Sequence, residues 1–409
     1  MGCMGCSTTK GNEFEGEGEI RKKCDSKENK NGPNIIHGRE KKEEKRDKSK
    51  NEEKENNNKD ESKNNCKKND NNRIIQNDNT LTIINGSKLN SIELDYQKKE
   101  TNKELKEIGI PISFKCFYEN KDNNEIQILN YRDEDEINEE IKSKIKIVNN
   151  SKKEDLIFKK KFDKIGLKEV EFIIEEELIN ISFLFCDCSS LKKVEFISFE
   201  TTQVTHMSRM FKNCNEIEYL NVSNFKTSNL LDMSGMFNGC LKLKIIKGIN
   251  NFDTMNVNKM DSMFQECNEL EYLDLSNFDT SNVINMQSMF EECRKLKEIK
   301  GINNFITNKV TDMKQMFQEC NALENLDLFN FDTSNVTDME FLLCRCRNLK
   351  EIKGINKFIT NKVTSMQGMF QVCSSLKSLD LSNFEVSNVI NMKYMFSKCN
   401  NLKEIKGMN

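Results

Sequence analysis

From residue 181 onward the apolar residues of this chain keep a phase that returns every 26 or 27 residues. One unit places Leu270, Leu273, Leu275, Phe278, Val283, Met286, Met289, Phe290 and Cys293 among polar neighbours. The alternation at Leu273 and Leu275 predicts a short strand with one face buried. Val283, Met286, Met289 and Phe290 then follow at spacings of three, three and one, which predicts two turns of helix carrying them on one stripe. Between them Thr280-Ser281-Asn282 supplies helix-capping side chains. Each unit therefore reads as a strand, a turn and a short helix.

Self-similarity at such a period predicts a solenoid, in which each unit buries its apolar face only against its neighbours and the product is an extended surface rather than a pocket. The register is followed on one cysteine per unit: Cys188, Cys214, Cys240, Cys267, Cys293, Cys320, Cys346, Cys373 and Cys399. Short units carry Leu-Asp-Leu-Ser-Asn-Phe, as at Leu273 to Phe278, and long units carry Ile-Lys-Gly-Ile-Asn-Asn-Phe, as at Ile299 to Phe305. The true period is thus a pair of coils. The expected fold is an α/β repeat solenoid, a leucine-rich-repeat-like stack of parallel strands with short helices on the opposite face, preceded by a small α+β cap and a disordered arm. Its divisions are an arm over 1–73, a cap domain over 74–180 and nine repeats over 181–409. In the cap, strands are expected at Ile112 to Tyr118, Glu125 to Tyr131 and Val170 to Leu178, with a helix at Asp133 to Lys146.

The Met and Phe phases are expected to form core, so function is sought on outward positions. The middle outward strand position reads Asp274, Lys300, Asp327, Lys353, Asp380 and Lys406, alternating in sign along six coils. In-register parallel strands would set each charge beside opposite charges on both sides and penalise a one-coil slip. Two positions earlier come Tyr272, Glu298, Asn325, Glu351 and Ser378, which vary more. With Tyr219 and Phe329 they are the candidate partner-binding residues. One unit departs from the pattern, reading Phe341-Leu342-Leu343-Cys344-Arg345-Cys346, which is expected to be a packing variant.

Composition narrows the function. Only 36% of the chain is apolar and 32% is charged, and residues 8–73 hold almost no apolar run, too little to offset chain entropy. The net charge of −3 gives no electrostatic case for nucleic acid, and the basic run from Arg21 to Lys50 is interleaved with acids. No stretch of apolar residues is long enough to span a bilayer, and no secretory signal is seen, so a cytoplasmic location is expected. Nine of the sixteen cysteines share one repeat phase, which predicts a reduced, inward-facing ladder rather than disulfides. His37 and His206 are the only histidines, so acid–base chemistry and metal ligation have almost no material, and no catalytic residue, metal or cofactor is expected. Gly248, Gly301, Gly354 and Gly407 recur at one phase and read as tight turns.

The unit Leu-Asp-Leu-Ser-Asn-Phe-Asp-Thr-Ser-Asn-Val-x-x-Met-x-x-Met-Phe-x-x-Cys closely resembles the 26-residue repeat of BspA-like leucine-rich-repeat surface proteins over residues 181–409. That resemblance implies a leucine-rich-repeat-like solenoid, no catalytic residues and, in many members, adhesion at a surface. The start, Met1-Gly2-Cys3-Met4-Gly5-Cys6-Ser7, looks like the doubly acylated N-termini of Src-like kinases and G-protein α subunits. The resemblance implies myristate on Gly2 and palmitate on Cys3 or Cys6, two chains being what stable anchoring needs. The expectation is a non-enzymatic scaffold for protein partners, held at the cytosolic face of a membrane by lipidation, with self-association through its open C-terminal coil. The alternative is an exported, adhesin-like protein, in which sequons such as Asn335-Val336-Thr337 would be glycosylated.

Overall fold

The computed structural model describes residues 112–122, 124–130 and 136–407, all within one compact unit, Ser87–Asn409. The expected arm, with Gly2, Cys3 and Cys6, lies outside the described residues, as does the stretch 74–111.

The N-terminal part comprises β1 (Ile112–Asn120), β2 (Glu125–Gln127), α1 (Glu136–Lys144), β3 (Ile145–Asn149), β4 (Lys152–Asp155), β5 (Lys159–Lys161) and β6 (Gly166–Ile174). With β7 (Leu191–Phe196) they build a five-stranded sheet in the order β4-β3-β6-β1-β7, while β2 and β5 pair separately. Alternation decides the inner face: Phe114, Cys116 and Tyr118 of β1 are buried, as are Val170, Phe172 and Ile174 of β6. Strand β7 also belongs to the first coil, and β1 pairs with it antiparallel. The Asn130 amide donates to the Leu184 carbonyl at 3.0 Å, so chain from the sheet region also reaches the turn side of that coil. Strands β4 and β5 carry almost no apolar residue, and only pairing with β3 and β2 makes them strands.

The solenoid strands are β8 (Tyr219–Asn221), β9 (Ile245–Lys247), β10 (Tyr272–Asp274), β11 (Glu298–Lys300), β12 (Asn325–Asp327), β13 (Glu351–Lys353), β14 (Ser378–Leu381) and β15 (Glu404–Gly407). They pair parallel and in register, but only two by two: β8 with β9, β10 with β11, β12 with β13 and β14 with β15. The coil pair seen in the sequence is thus a pair of strands. In each complete long unit the strand runs into a glycine with φ of 83 to 86°, at Gly248, Gly301 and Gly354, and then a three-residue 3-10 turn. That turn carries the backbone out of the strand line and absorbs the extra residue of the long unit.

The expected helices on the opposite face are not formed. Among the described residues α1 is the sole α-helix, and Val283 to Cys293 is instead a run of turns. The reason lies in where the amides go. The N–H groups of Met286, Ser288, Phe290 and Glu292 donate to the carbonyls of Asp312, Lys314, Met316 and Gln318 in the next coil, at 2.7–3.0 Å. Between them, the amides of Met289, Glu291 and Cys293 reach back three residues, and that of Gln287 is taken by the Asn285 side chain at 2.9 Å. Ser288 and Glu292 sit at φ 54 and 59°, left-handed positions that a right-handed helix cannot contain. The same arrangement recurs from coil to coil, with a row of parallel bridges from Asn180 through His206, Asp232, Lys259, Asn285, Asp312, Asp338 and Ser365 to Asn391. The fold is therefore a β-solenoid.

The apolar stripe is nonetheless core. Met286, Met289, Phe290 and Cys293 are fully buried, and so are their equivalents in neighbouring coils. Phe211, Phe237, Phe264, Phe290 and Phe317 form one stack with centroids 5.5–5.9 Å apart. Leu343 interrupts it in the variant unit, where Leu342 and Leu343 fill the Met and Phe places. Every described cysteine is free, and each ladder thiol from Cys214 to Cys399 donates to a carbonyl of the preceding coil, as Cys293 does to Phe264 at 3.1 Å.

Candidate functional site

Parallel pairing puts the first residue of every solenoid strand on one outward row. Tyr219 faces Ile245, Tyr272 faces Glu298, Asn325 faces Glu351, and Ser378 faces Glu404. The row is divided in character. Its first three residues, Tyr219, Ile245 and Tyr272, are large and 43–61% exposed. From Glu298 onward the row is polar or acidic, and it too is exposed. Phe329 stands apart, in the turn beyond β12, where it is half exposed and the Lys357 ammonium lies 3.0 Å from its ring centroid.

The missing ladder between β9 and β10 leaves a shallow groove of about 410 Å³ at the apolar end of this row. Ile245 and Tyr272 flank it, Lys247, Asp274 and Lys300 line it, and the buried Ile246 and Leu273 lie beneath. Lys300 is neutralised by Asp274 at 2.8 Å, and Lys244 by Glu218 at 2.7 Å. Lys247 forms no ion pair among the described residues, since the residue opposite it is Asn221. The groove thus offers two apolar walls and one uncompensated ammonium. Ile245 and Lys247 were not singled out from sequence; lining up all strands at one phase, rather than long and short units separately, places them beside Tyr219 and Tyr272.

The charge ladder is realised in part. Asp274–Lys300, Asp327–Lys353 and Asp380–Lys406 come into register, but no strand ladder joins β11 to β12 or β13 to β14, so opposite charges adjoin on one side only. Only the first forms an ion pair among the described residues. All three aspartates accept from the amide two residues on, at Ser276, Phe329 and Ser382, each at 3.1 Å. They cap the turn after the strand. Inter-coil ion pairs lie instead one residue before the strand, at Glu218–Lys244, Glu271–Lys297 and Glu324–Lys350, 2.6–2.8 Å apart.

Two acids stand out on the turn side. Glu291 is 7% exposed and accepts from three amides, Gln265 at 2.8 Å and Gln315 and Gln318 at 3.0 Å; burial holds its carboxyl above the usual range. Asp261 is likewise raised by burial and lies in a groove with Arg209 and Asp232. Both are embedded in links between coils. His206 is a bridge residue whose Nδ1 lies 2.8 Å from the Thr205 hydroxyl. Among the described residues no group of three or more His, Cys, Asp or Glu is placed to hold a metal, and no helix is long and apolar enough to cross a membrane.

No curated protein matches the chain. A family model described as Mycoplasma protein of unknown function, DUF285, matches it four times in overlapping segments, over residues 158–246, 179–299, 242–348 and 324–408. The segments run without a gap from residue 158 to 408, over the solenoid, and together cover more than half of the chain. The chain belongs to the family described as Mycoplasma protein of unknown function, DUF285.

Proposed function

We propose that this protein is a non-enzymatic scaffold whose solenoid binds a protein partner through the apolar end of its outward strand row, and that acylation of Gly2 with Cys3 or Cys6 holds it at the cytosolic face of a membrane. The observation that carries the binding reading is the contiguous exposure of Tyr219, Ile245 and Tyr272 in three successive coils beside a groove. From β8 to β14 every other large apolar strand residue is buried, so this stripe is an exception to the burial rule of its own repeat. Aromatic residues with a polar tip on a rigid frame give large contact area at small entropic cost. The unpaired Lys247 favours a partner that brings a carboxylate to the groove. Glu298, Asn325, Glu351 and Ser378 continue the row as a polar flank, with Phe329 outside it.

The catalytic alternative is left with little: two histidines in the whole chain, and acids whose described hydrogen bonds join one coil to the next. The reading is tested by crosslinking from a photoreactive residue at position 272 in cells, with Tyr219→Ala/Ile245→Ala and Lys247→Glu as comparisons. One protein captured by the wild type and lost with both variants supports it. The same capture from all three removes the strand row as the site. Membrane fractionation of Gly2→Ala tests the anchor separately.

A further inference from the structure

Residues 157–168 run from just before β5 into the start of β6 and read Ile-Phe-Lys-Lys-Lys-Phe-Asp-Lys-Ile-Gly-Leu-Lys. Five lysines stand against one aspartate, in a chain whose net charge is −3. In the neighbouring five-stranded sheet Lys146 is neutralised by Asp155 and Lys153 by Glu175, both at 2.9 Å. Lys159, Lys160, Lys161, Lys164 and Lys168 form no ion pair among the described residues. Glu125 is opposite Lys161 in the β2–β5 pairing without bonding to it. Apolar surface accompanies the charge, for Ile157, Ile165 and Leu167 are 48%, 62% and 59% exposed. Phe158 and Phe162, by contrast, are partly buried and pack on the core, so they brace the segment from beneath.

Uncompensated ammonium groups beside exposed aliphatic side chains suit a surface that is anionic on its outside and hydrocarbon just below. A single-stranded nucleic acid would satisfy the lysines but would gain from exposed aromatic faces on which bases stack, and the two phenyl rings here pack on the core. A duplex would pair with the lysines through its phosphates but leave the exposed Ile157, Ile165 and Leu167 without a partner. We propose that the β5–β6 segment docks on an anionic phospholipid surface, with its lysines among the headgroups and Ile165 and Leu167 entering the acyl boundary. The contact needs no lipid on Gly2, so it stands or falls separately from the acyl anchor.

The test uses full-length protein made in bacteria, which leaves Gly2 unmodified, in co-sedimentation with phosphatidylcholine vesicles with and without phosphatidylserine. Wild type is expected to pellet with the phosphatidylserine vesicles only. Lys159→Glu/Lys160→Glu/Lys161→Glu is expected to weaken partition about tenfold or more, since each basic residue near such a surface adds a several-fold factor. Ile165→Ser/Leu167→Ser is expected to bind in low salt and to lose the binding that survives high salt. Circular dichroism checks that both variants fold; Lys159, Lys161, Ile165 and Leu167 are exposed and Lys160 is half-buried. Equal pelleting of wild type and the lysine variant overturns the proposal and moves any binding to another basic segment such as 21–50. So does equal pelleting with phosphatidylcholine alone, or release of the protein from vesicles by a short RNA duplex that binds it more tightly.

Discussion

The Lys121 ammonium lies 3.1 Å from the Glu216 carboxylate, tying the end of β1 to the second coil across the first. Glu216 also receives Lys192 at 2.9 Å and Lys242 at 2.8 Å, so one carboxylate joins the N-terminal sheet and three successive coils. Hydrogen bonds from Lys242 and Lys192 hold its carboxyl at about 2, below the usual 4.5. A depressed acid contributes stability above its unfolded value, and that contribution is lost as pH falls through the folded value. Glu216→Gln is therefore expected to lower stability at neutral pH by about 1–2 kcal/mol, discounted because the lysines are partly exposed. In urea titrations the gap between the two proteins should shrink between pH 4.5 and 2 and be absent below it. A gap that does not change with pH would mean the loss is one of packing.

A buried threonine links each coil to the next. The Thr280 hydroxyl donates to the Ile306 carbonyl at 2.9 Å and accepts from the Ile306 amide at 2.8 Å, and Thr254, Thr307, Thr333 and Thr360 repeat both bonds. Thr280→Val keeps the shape but strands a backbone donor and acceptor inside, and is expected to cost about 1–3 kcal/mol. Thr280→Ser, which keeps the hydroxyl, should cost clearly less. Urea midpoints of the two variants provide the comparison.

A methyl group at Gly301 would meet the Ser276 Cα at 2.5 Å and its amide nitrogen at 2.6 Å, at a residue with φ of 86°. Gly301→Ala is expected to destabilise by about 2 kcal/mol or more. Gly166→Ala is the control, since its φ is also positive, at 104°, but nothing lies within 4 Å of the added carbon. A shift in thermal midpoint as large for Gly166→Ala would put the cost in the backbone angle rather than the clash between coils.

Burial pushes the Cys240 and Cys293 thiols up to about 12, and a thiol that stays protonated is a poor nucleophile. In native protein the ladder from Cys188 to Cys373 is expected to resist alkylation. Cys399 is only partly buried and should react ahead of the other ladder thiols. Mass-spectrometric mapping of alkylated cysteines before and after urea checks this order. Early labelling at Cys293 would show that the coils open locally.

Much of this architecture was legible in the chain. The repeat phase, the buried Met, Phe and Cys positions, the glycine turns and the pairing of long with short units all follow from spacing, because burial of one face leaves a periodic trace in residue type. The same trace misled at Val283 to Phe290. Spacings of three, three and one mark side chains that share a face, and both a helix and a run of stacked turns meet that condition. They differ in where the amide hydrogens go, and the N–H of Ser288 bonds to Lys314, 26 residues away, a partner that no local pattern names.

The outward row shows the same division. Tyr219 and Tyr272 could be chosen from sequence because aromatic residues at a solvent-facing phase are conspicuous. That Ile245 stands between them follows only when long and short units are aligned at one phase, and that a groove opens at β9 and β10, where the strand ladder stops, has no sequence mark at all. Sequence by itself determined which residues face the core and how the coils are counted, since the hydrophobic effect acts on each side chain by its type and position. Tertiary structure decided the hydrogen-bond partners, the left-handed residues and the breaks in the sheet, because those depend on what the neighbouring coil presents to the backbone.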